Sequence, residues 1–160
     1  MSAFLDLGFR NGGLGKALSN LMPYAFTLDN VQCGSIEGFL QSIKHEGSEE
    51  QELVAGLHGY EAFKIGQLGN GWKETQTLWW CGVAYPRFSK QYHHLLERAY
   101  DQCFAENEAF RTALIDSGVM VLTHVMGKHD PTDTTLTEWE YIHQMYRLRA
   151  LAQLLELGLL

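Results

Sequence analysis

Between Tyr24 and Lys44 the chain passes from a strand-like pattern to a helical one. In Tyr24–Leu28 and Val31–Cys33, strand-forming residues flank Asp29-Asn30, a pair that readily adopts hairpin turn conformations. Gly34 releases the chain, and Ser35 is placed to cap a helix. Behind it Ile36, Phe39, Leu40 and Ile43 fall at i, i+3, i+4 and i+7, the spacing of a buried helical face. Glu37, Gln41 and Lys44 fall at i, i+4 and i+7 on the other side. A core helix needs only the first set. The second puts an acid, an amide and an ammonium in a row, with the acid in the first turn.

The rest of the chain reads more plainly. Ala3–Phe9 suits a short strand, and Arg10–Lys16 is a glycine-rich flexible loop whose spacing matches neither common phosphate-binding motif. Glu46–Glu52 is polar and acidic. Leu53, Ala55, Leu57 and the segment Tyr60–Leu68 predict one or two short helices, with a turn at Gly69-Asn70-Gly71. Leu78-Trp79-Trp80 follows, and one indole of the pair is a candidate to face a planar ring, although paired tryptophans also serve as core. Ser89–Phe104 predicts a helix, Asn107 a cap, Glu108–Ser117 a second helix stopped by Gly118, and Val119–Val125 a buried strand. Gly127–Thr137 is a loop by its Pro, Gly and Asp content. A last helix, Glu138–Leu157, is expected to carry Tyr141, Met145, Leu148, Leu151 and Leu155 inward. With no repeat or linker, residues 1–160 read as one α+β domain, mostly helical with a few short strands.

Composition narrows the function. The net charge of −7, with its twelve Lys and Arg scattered, argues against a protein that grips nucleic-acid backbone. No apolar run approaches the ~20 residues that span a bilayer. The amino terminus lacks the pattern of a secretory signal. Cys33, Cys81 and Cys103 are odd in number and widely spaced, which suits reduced thiols and a cytoplasmic address. His124, His129, Asp130 and His143 are metal-capable types, but no metal-site spacing joins them, and no cofactor is expected. A first-turn carboxylate is favoured in its ionised form by the helix N-terminus. That describes Glu37 either as a solvated charge paired loosely with Lys44 or as a catalytic carboxylate.

The run SN-x-x-P-x-x-F-x-L-D, followed by S-x-E-x-x-x-Q-x-x-K, resembles the NADAR superfamily, which includes riboflavin-intermediate N-glycosidases. Ser19, Asn20, Pro23, Asp29, Ser35, Glu37, Gln41 and Lys44 stand in the matching places. The resemblance runs from about Leu18 to Arg149 and is specific in its first third. Gly38 replaces the histidine that follows the motif glutamate, and Gln67 replaces an arginine. The late W-G-x-G motif has no match in Gly127–Thr137, and Trp139 and Ile142 stand where N-x-L-G is usual. The resemblance implies an α+β fold and cleavage of an N-ribosyl or ADP-ribosyl linkage in a phosphorylated compound. Glu37 would stabilise an oxocarbenium-like state. Ser19, Asn20, Gln41, Lys44, Trp80, Asp130 and Asp133 would contact the substrate. The alternative is an inactive pocket that sequesters an NAD- or ADP-ribose-derived nucleotide. The expected partner is a small phosphorylated molecule, with no membrane, and nucleic acid only as a modified substrate.

Overall fold

The computed structural model describes residues 3–160; Met1 and Ser2, part of the amino-terminal reading, lie outside the described residues. In chain order the first elements are β1 (Phe4–Asp6), a 3-10 turn (Phe9–Asn11), α1 (Gly13–Ala17), β2 (Phe26–Leu28), β3 (Val31–Cys33) and α2 (Ile36–Ser42). Then come α3 (Ser48–Ala55), α4 (Gly59–Gly66), α5 (Trp72–Thr75), β4 (Thr77–Trp80) and β5 (Val83–Pro86). The chain ends in α6 (Lys90–Glu106), α7 (Glu108–Asp116), β6 (Val121–Thr123) and α8 (Glu138–Glu156). The protein is α+β, helical for the most part, with its strands paired two by two.

Local chemistry accounts for the central unit. Asp29 and Asn30 both take left-handed backbone angles (φ 49° and 66°), the conformation that matches a two-residue turn to the twist of β2 and β3. Ser35 Oγ accepts the Gly38 N–H at 2.9 Å and so caps α2. Phe39 and Ile43 are fully buried in one core with Tyr92, Leu95 and Ala99 of α6 and Met145 and Leu148 of α8. A second hairpin joins β4 to β5 around Cys81 and Gly82, also at positive φ (48° and 80°). β1 pairs in parallel with β6, Leu5 opposite Leu122, and so brings the first residues beside the late loop.

Several expectations need correction. The glycine-rich segment is no loop: it forms the 3-10 turn and α1, packed against β1. The acidic stretch Glu46–Glu52 belongs largely to α3, because Gln51 turns inward and bonds the carbonyls of Ser42, His45 and Trp79 while accepting the Cys81 N–H. Asn107 stands at the start of α7 but does not cap it. Its amide donates to the carbonyls of Ala25 and Cys103 instead. In β6 only Leu122 is buried, and Val119 and Val125 are exposed. Leu155 is exposed too, since α8 outruns the core after Ala152.

The late loop is held by a buried ion pair. Arg87, 1% exposed, donates to both carboxylate oxygens of Glu140 (2.6 and 3.1 Å) and to the Thr134 carbonyl (3.0 Å). Glu140 in turn completes a capping box with Thr137 at the start of α8. Tyr92 Oη donates to the Thr135 carbonyl. Residues 134–137 are thereby fixed to α6 and α8.

Candidate functional site

A cleft of about 580 Å³ opens between the polar face of α2, the segment after α1, α4, α5 and the late loop. Glu37, Gln41, Lys44, Ser19, Asn20 and Asp133 all line it. Glu37 lies in the first turn of α2, and its backbone N–H donates to the Asn20 carbonyl at 2.9 Å, which locks the facing segment to the helix. Its carboxylate reaches forward along the helix and accepts from Gln41 Nε2 at 2.7 Å.

Burial in the cleft wall pushes the Glu37 carboxyl above its usual range, although the Gln41 hydrogen bond, Lys44 and His124 all pull the other way. The expectation of a carboxylate stabilised by the helix N-terminus is therefore overturned. The nearby amide donors are already used: Glu37 N–H by Asn20 and Gly38 N–H by Ser35. Desolvation decides the sign. A carboxylate of raised basicity is better suited to take a proton from water than a solvated surface charge.

Asn20 lines the cleft, and its Oδ1 accepts from the buried Tyr100 hydroxyl at 2.9 Å. Ser19 Oγ accepts the Leu21 N–H at 3.2 Å and shapes the turn. Gly66 lies close against the Gln41 amide: a methyl there would stand 2.2 Å from it, so the Gln41 side chain would have to move. The Gly66 carbonyl accepts from Lys44 Nζ at 3.2 Å. Burial draws the Lys44 ammonium down to about 8; Glu37 opposes this, and Lys73 and Lys128 add to it.

Two candidates are not brought to the cleft. Trp80 is 1% exposed, packs edge-on against Phe39 (5.1 Å between centroids, 72°) and donates Nε1–H to Asp29 Oδ2 at 2.9 Å. Its indole braces the first hairpin and has no face for a ligand. Asp130 is outside the lining; its Oδ1 accepts from Thr132 N and Oγ1 (2.9 and 2.7 Å), so it serves the turn. Among the described residues no group of three or more His, Cys, Asp or Glu is placed to hold a metal ion.

The cleft also contains residues that spacing did not single out. Trp72 is 4% exposed and lines it, with Nε1–H unpartnered among the described residues. His124, weighed in sequence only as a metal ligand, stacks on Tyr141 (5.0 Å, 18°) with Nδ1 2.6 Å from the Leu7 carbonyl. That contact assigns the proton to Nδ1 in the neutral ring and leaves Nε2 as an acceptor. Arg10 donates to Tyr60 Oη at 2.8 Å across the mouth. A glycine-rich segment carrying Arg10 was the one available signal; Trp72 and His124 sit in no periodic pattern.

The fold is NADAR-like. The structure matches the NMR structure of the E. coli protein YbiA, a NADAR-family member, with a TM-score of 0.63 and 10% identity over 98% of this chain and 89% of that one. Residues 13–150 match the family described as Bacteriophage protein GP30.3, to which the chain belongs. An uncharacterised 17.1 kDa protein from the Gp30–rIII intergenic region of Enterobacteria phage T4 is 37% identical over 134 residues, 83% of this chain and 88% of that protein.

Proposed function

We propose that the chain hydrolyses the N-glycosidic bond of a phosphorylated N-ribosyl or ADP-ribosyl compound, with Glu37 as the catalytic carboxylate. The observation that carries this reading is the Glu37 side chain itself: desolvated on a cleft wall, oriented by Gln41, and followed by the Lys44 ammonium further along the same face. As the leaving nitrogen departs with the bonding pair, positive charge builds on the anomeric carbon. A fixed carboxylate beside that carbon stabilises it more than it stabilises the neutral substrate. Glu37 then takes a proton from the water whose oxygen bonds to the anomeric carbon, giving the free sugar, and that proton passes to the released base, which leaves Glu37 ionised again. In this reading Asn20 and Ser19 meet ribose hydroxyls, and Lys44 a phosphate. No helix among the described residues is long and apolar enough to cross a membrane.

One observation favours a second reading, a pocket that sequesters its nucleotide uncleaved. At Gly38 the carbonyls of Leu57 and Ala55 fill the place of the histidine that follows the glutamate in the resembling motif. Turnover separates the two readings. The wild-type chain is incubated with ribosylated and ADP-ribosylated compounds, and released base is measured alongside Glu37→Gln. The expected loss on substitution is ~10²–10³ in kcat with affinity nearly kept. Full activity in Glu37→Gln removes Glu37 from the chemistry, and binding without release by the wild type establishes the sequestering pocket.

A further inference from the structure

Breaking an N-glycosidic bond asks for two proton-handling groups, one that serves the water and one that serves the leaving nitrogen. Glu37 is the first. Most other titratable side chains that line the cleft are already committed. Asp6 accepts from Val125 N–H, Asn11 and Thr123; burial works against them, but these bonds hold its carboxyl below the usual range. Asp133 is held down to about 2 by its hydrogen bonds to Lys73 and Lys128. The Tyr141 hydroxyl donates to the Leu18 carbonyl, and burial pushes it above the ordinary phenol range. Lys44 donates to the Gly66 carbonyl. His124 is different.

The His124 ring is fixed on three sides. Nδ1 stands 2.6 Å from the Leu7 carbonyl, and one face lies on Tyr141 (5.0 Å between centroids, 18°). The Gly127 backbone closes on Cδ2, where a methyl would stand 2.7 Å away. The remaining polar atom, Nε2, has no hydrogen-bond partner among the described residues. It is not one of the buried atoms left unsatisfied, so it reaches solvent in a residue that lines the cleft. Glu37 likewise keeps one oxygen free: Oε1 accepts from Gln41, while Oε2 has no partner among the described residues. We infer that His124 is a second catalytic residue, whose Nε2 delivers the proton to the leaving nitrogen of the base.

This assignment rests on the proposed reaction for the bond that is cleaved. As an imidazolium, His124 donates Nε2–H to the leaving nitrogen while the C–N bond breaks and its electron pair departs with the base. The positive charge of the ring faces the Glu37 and Asp6 carboxylates, and Nδ1–H stays on the Leu7 carbonyl throughout. Glu37 takes a proton from the water whose oxygen bonds to the anomeric carbon. That proton refills Nε2, so the transfer from water to base runs through His124 and both groups are restored. Imidazole is the side chain suited to such a transfer at neutral pH. A pyridinium riboside releases its base as a neutral pyridine and needs no proton from the protein. A purine departs as an anion unless it is protonated, and so needs one.

The test measures base release by the full chain from two probes with the same sugar phosphate, inosine 5-monophosphate and nicotinamide mononucleotide. His124→Asn keeps an amide donor for the Leu7 carbonyl and removes the proton carrier. It is expected to lose ~10²–10⁴ in kcat on the inosine probe and less than about threefold on the nicotinamide probe, with wild-type circular dichroism. His124→Gln takes its place, with the same expectation, if the first variant does not fold. In NMR spectra of the ring nitrogens, neutral His124 of the free protein is expected to carry its proton on Nδ1. Equal losses on the two probes, or no loss on either, overturn the inference and leave the glycosidase reading standing. A neutral ring protonated on Nε2 does the same. Release of base from neither probe by the wild type refutes the glycosidase reading, and the role of His124 with it.

Discussion

Replacing Gly38 by alanine tests the packing that shapes the cleft, because here the usual effect of the substitution is reversed. An interior helical glycine changed to alanine gains about 1 kcal/mol in helix propensity. At Gly38 the added methyl would stand 2.3 Å from the Leu57 carbonyl oxygen and 2.6 Å from that of Ala55. Ordinary carbon–oxygen contacts begin near 3.3 Å, so the end of α3 has to retreat by about 1 Å. Those same carbonyls accept hydrogen bonds, Ala55 from Gly34 N at 2.8 Å and Leu57 from Ser35 Oγ at 3.0 Å. Overpacking costs about 1–3 kcal/mol, and each strained hydrogen bond up to about 1 more. The net expectation is a loss of about 1–3 kcal/mol, read as a lower urea midpoint by tryptophan fluorescence. Gly56→Ala is the control: φ is −70° and a methyl there meets only ordinary contacts (3.6 and 3.7 Å). It should stabilise by about 0.4–1 kcal/mol. A Gly38→Ala protein at least as stable as wild type would refute the packing argument.

Two further predictions concern stability. The Glu37 carboxyl is raised in the folded state, so the stability its proton confers is fully present below the ordinary value of 4.5 and is lost as pH rises through the folded value. Glu37→Gln, which can still accept from Gln41, should therefore be more stable than wild type at neutral pH. The advantage should vanish in urea titrations below pH 4.5; a variant less stable than wild type at pH 7 would contradict the burial argument. Arg87→Ala should cost about 3 kcal/mol or more by thermal denaturation, because it strands a largely buried Glu140 and the Thr134 carbonyl. A loss under about 1 kcal/mol, the range of a surface pair, would show that the ion pair does not hold the late loop.

What the sequence determined by itself is what neighbours in the chain decide. Asp29-Asn30 between strand formers specifies the first hairpin, and Ser35 with the Ile36–Ile43 spacing specifies α2 and its two faces. Ser89 capping α6, and the apolar beat through Tyr141, Met145 and Leu148, are equally local. Glu37, Gln41 and Lys44 share a wall because helical geometry puts them there. Tertiary structure decided what depends on distant partners and on loss of water. Pairing of β1 with β6 joins segments at opposite ends of the chain, and only that pairing brings His124 to Leu7 and into the cleft. Lys73 and Lys128 meet at Asp133 because Arg87 and Tyr92 fix the loop next to it, a convergence no spacing encodes. Trp80 is as apolar as Trp79 in the one-letter string, yet the alternation of β4 sends it into the core. The sign of the Glu37 shift is of the same kind. A helix terminus is visible in sequence and favours the anion, whereas desolvation is a property of the assembled cleft and prevails.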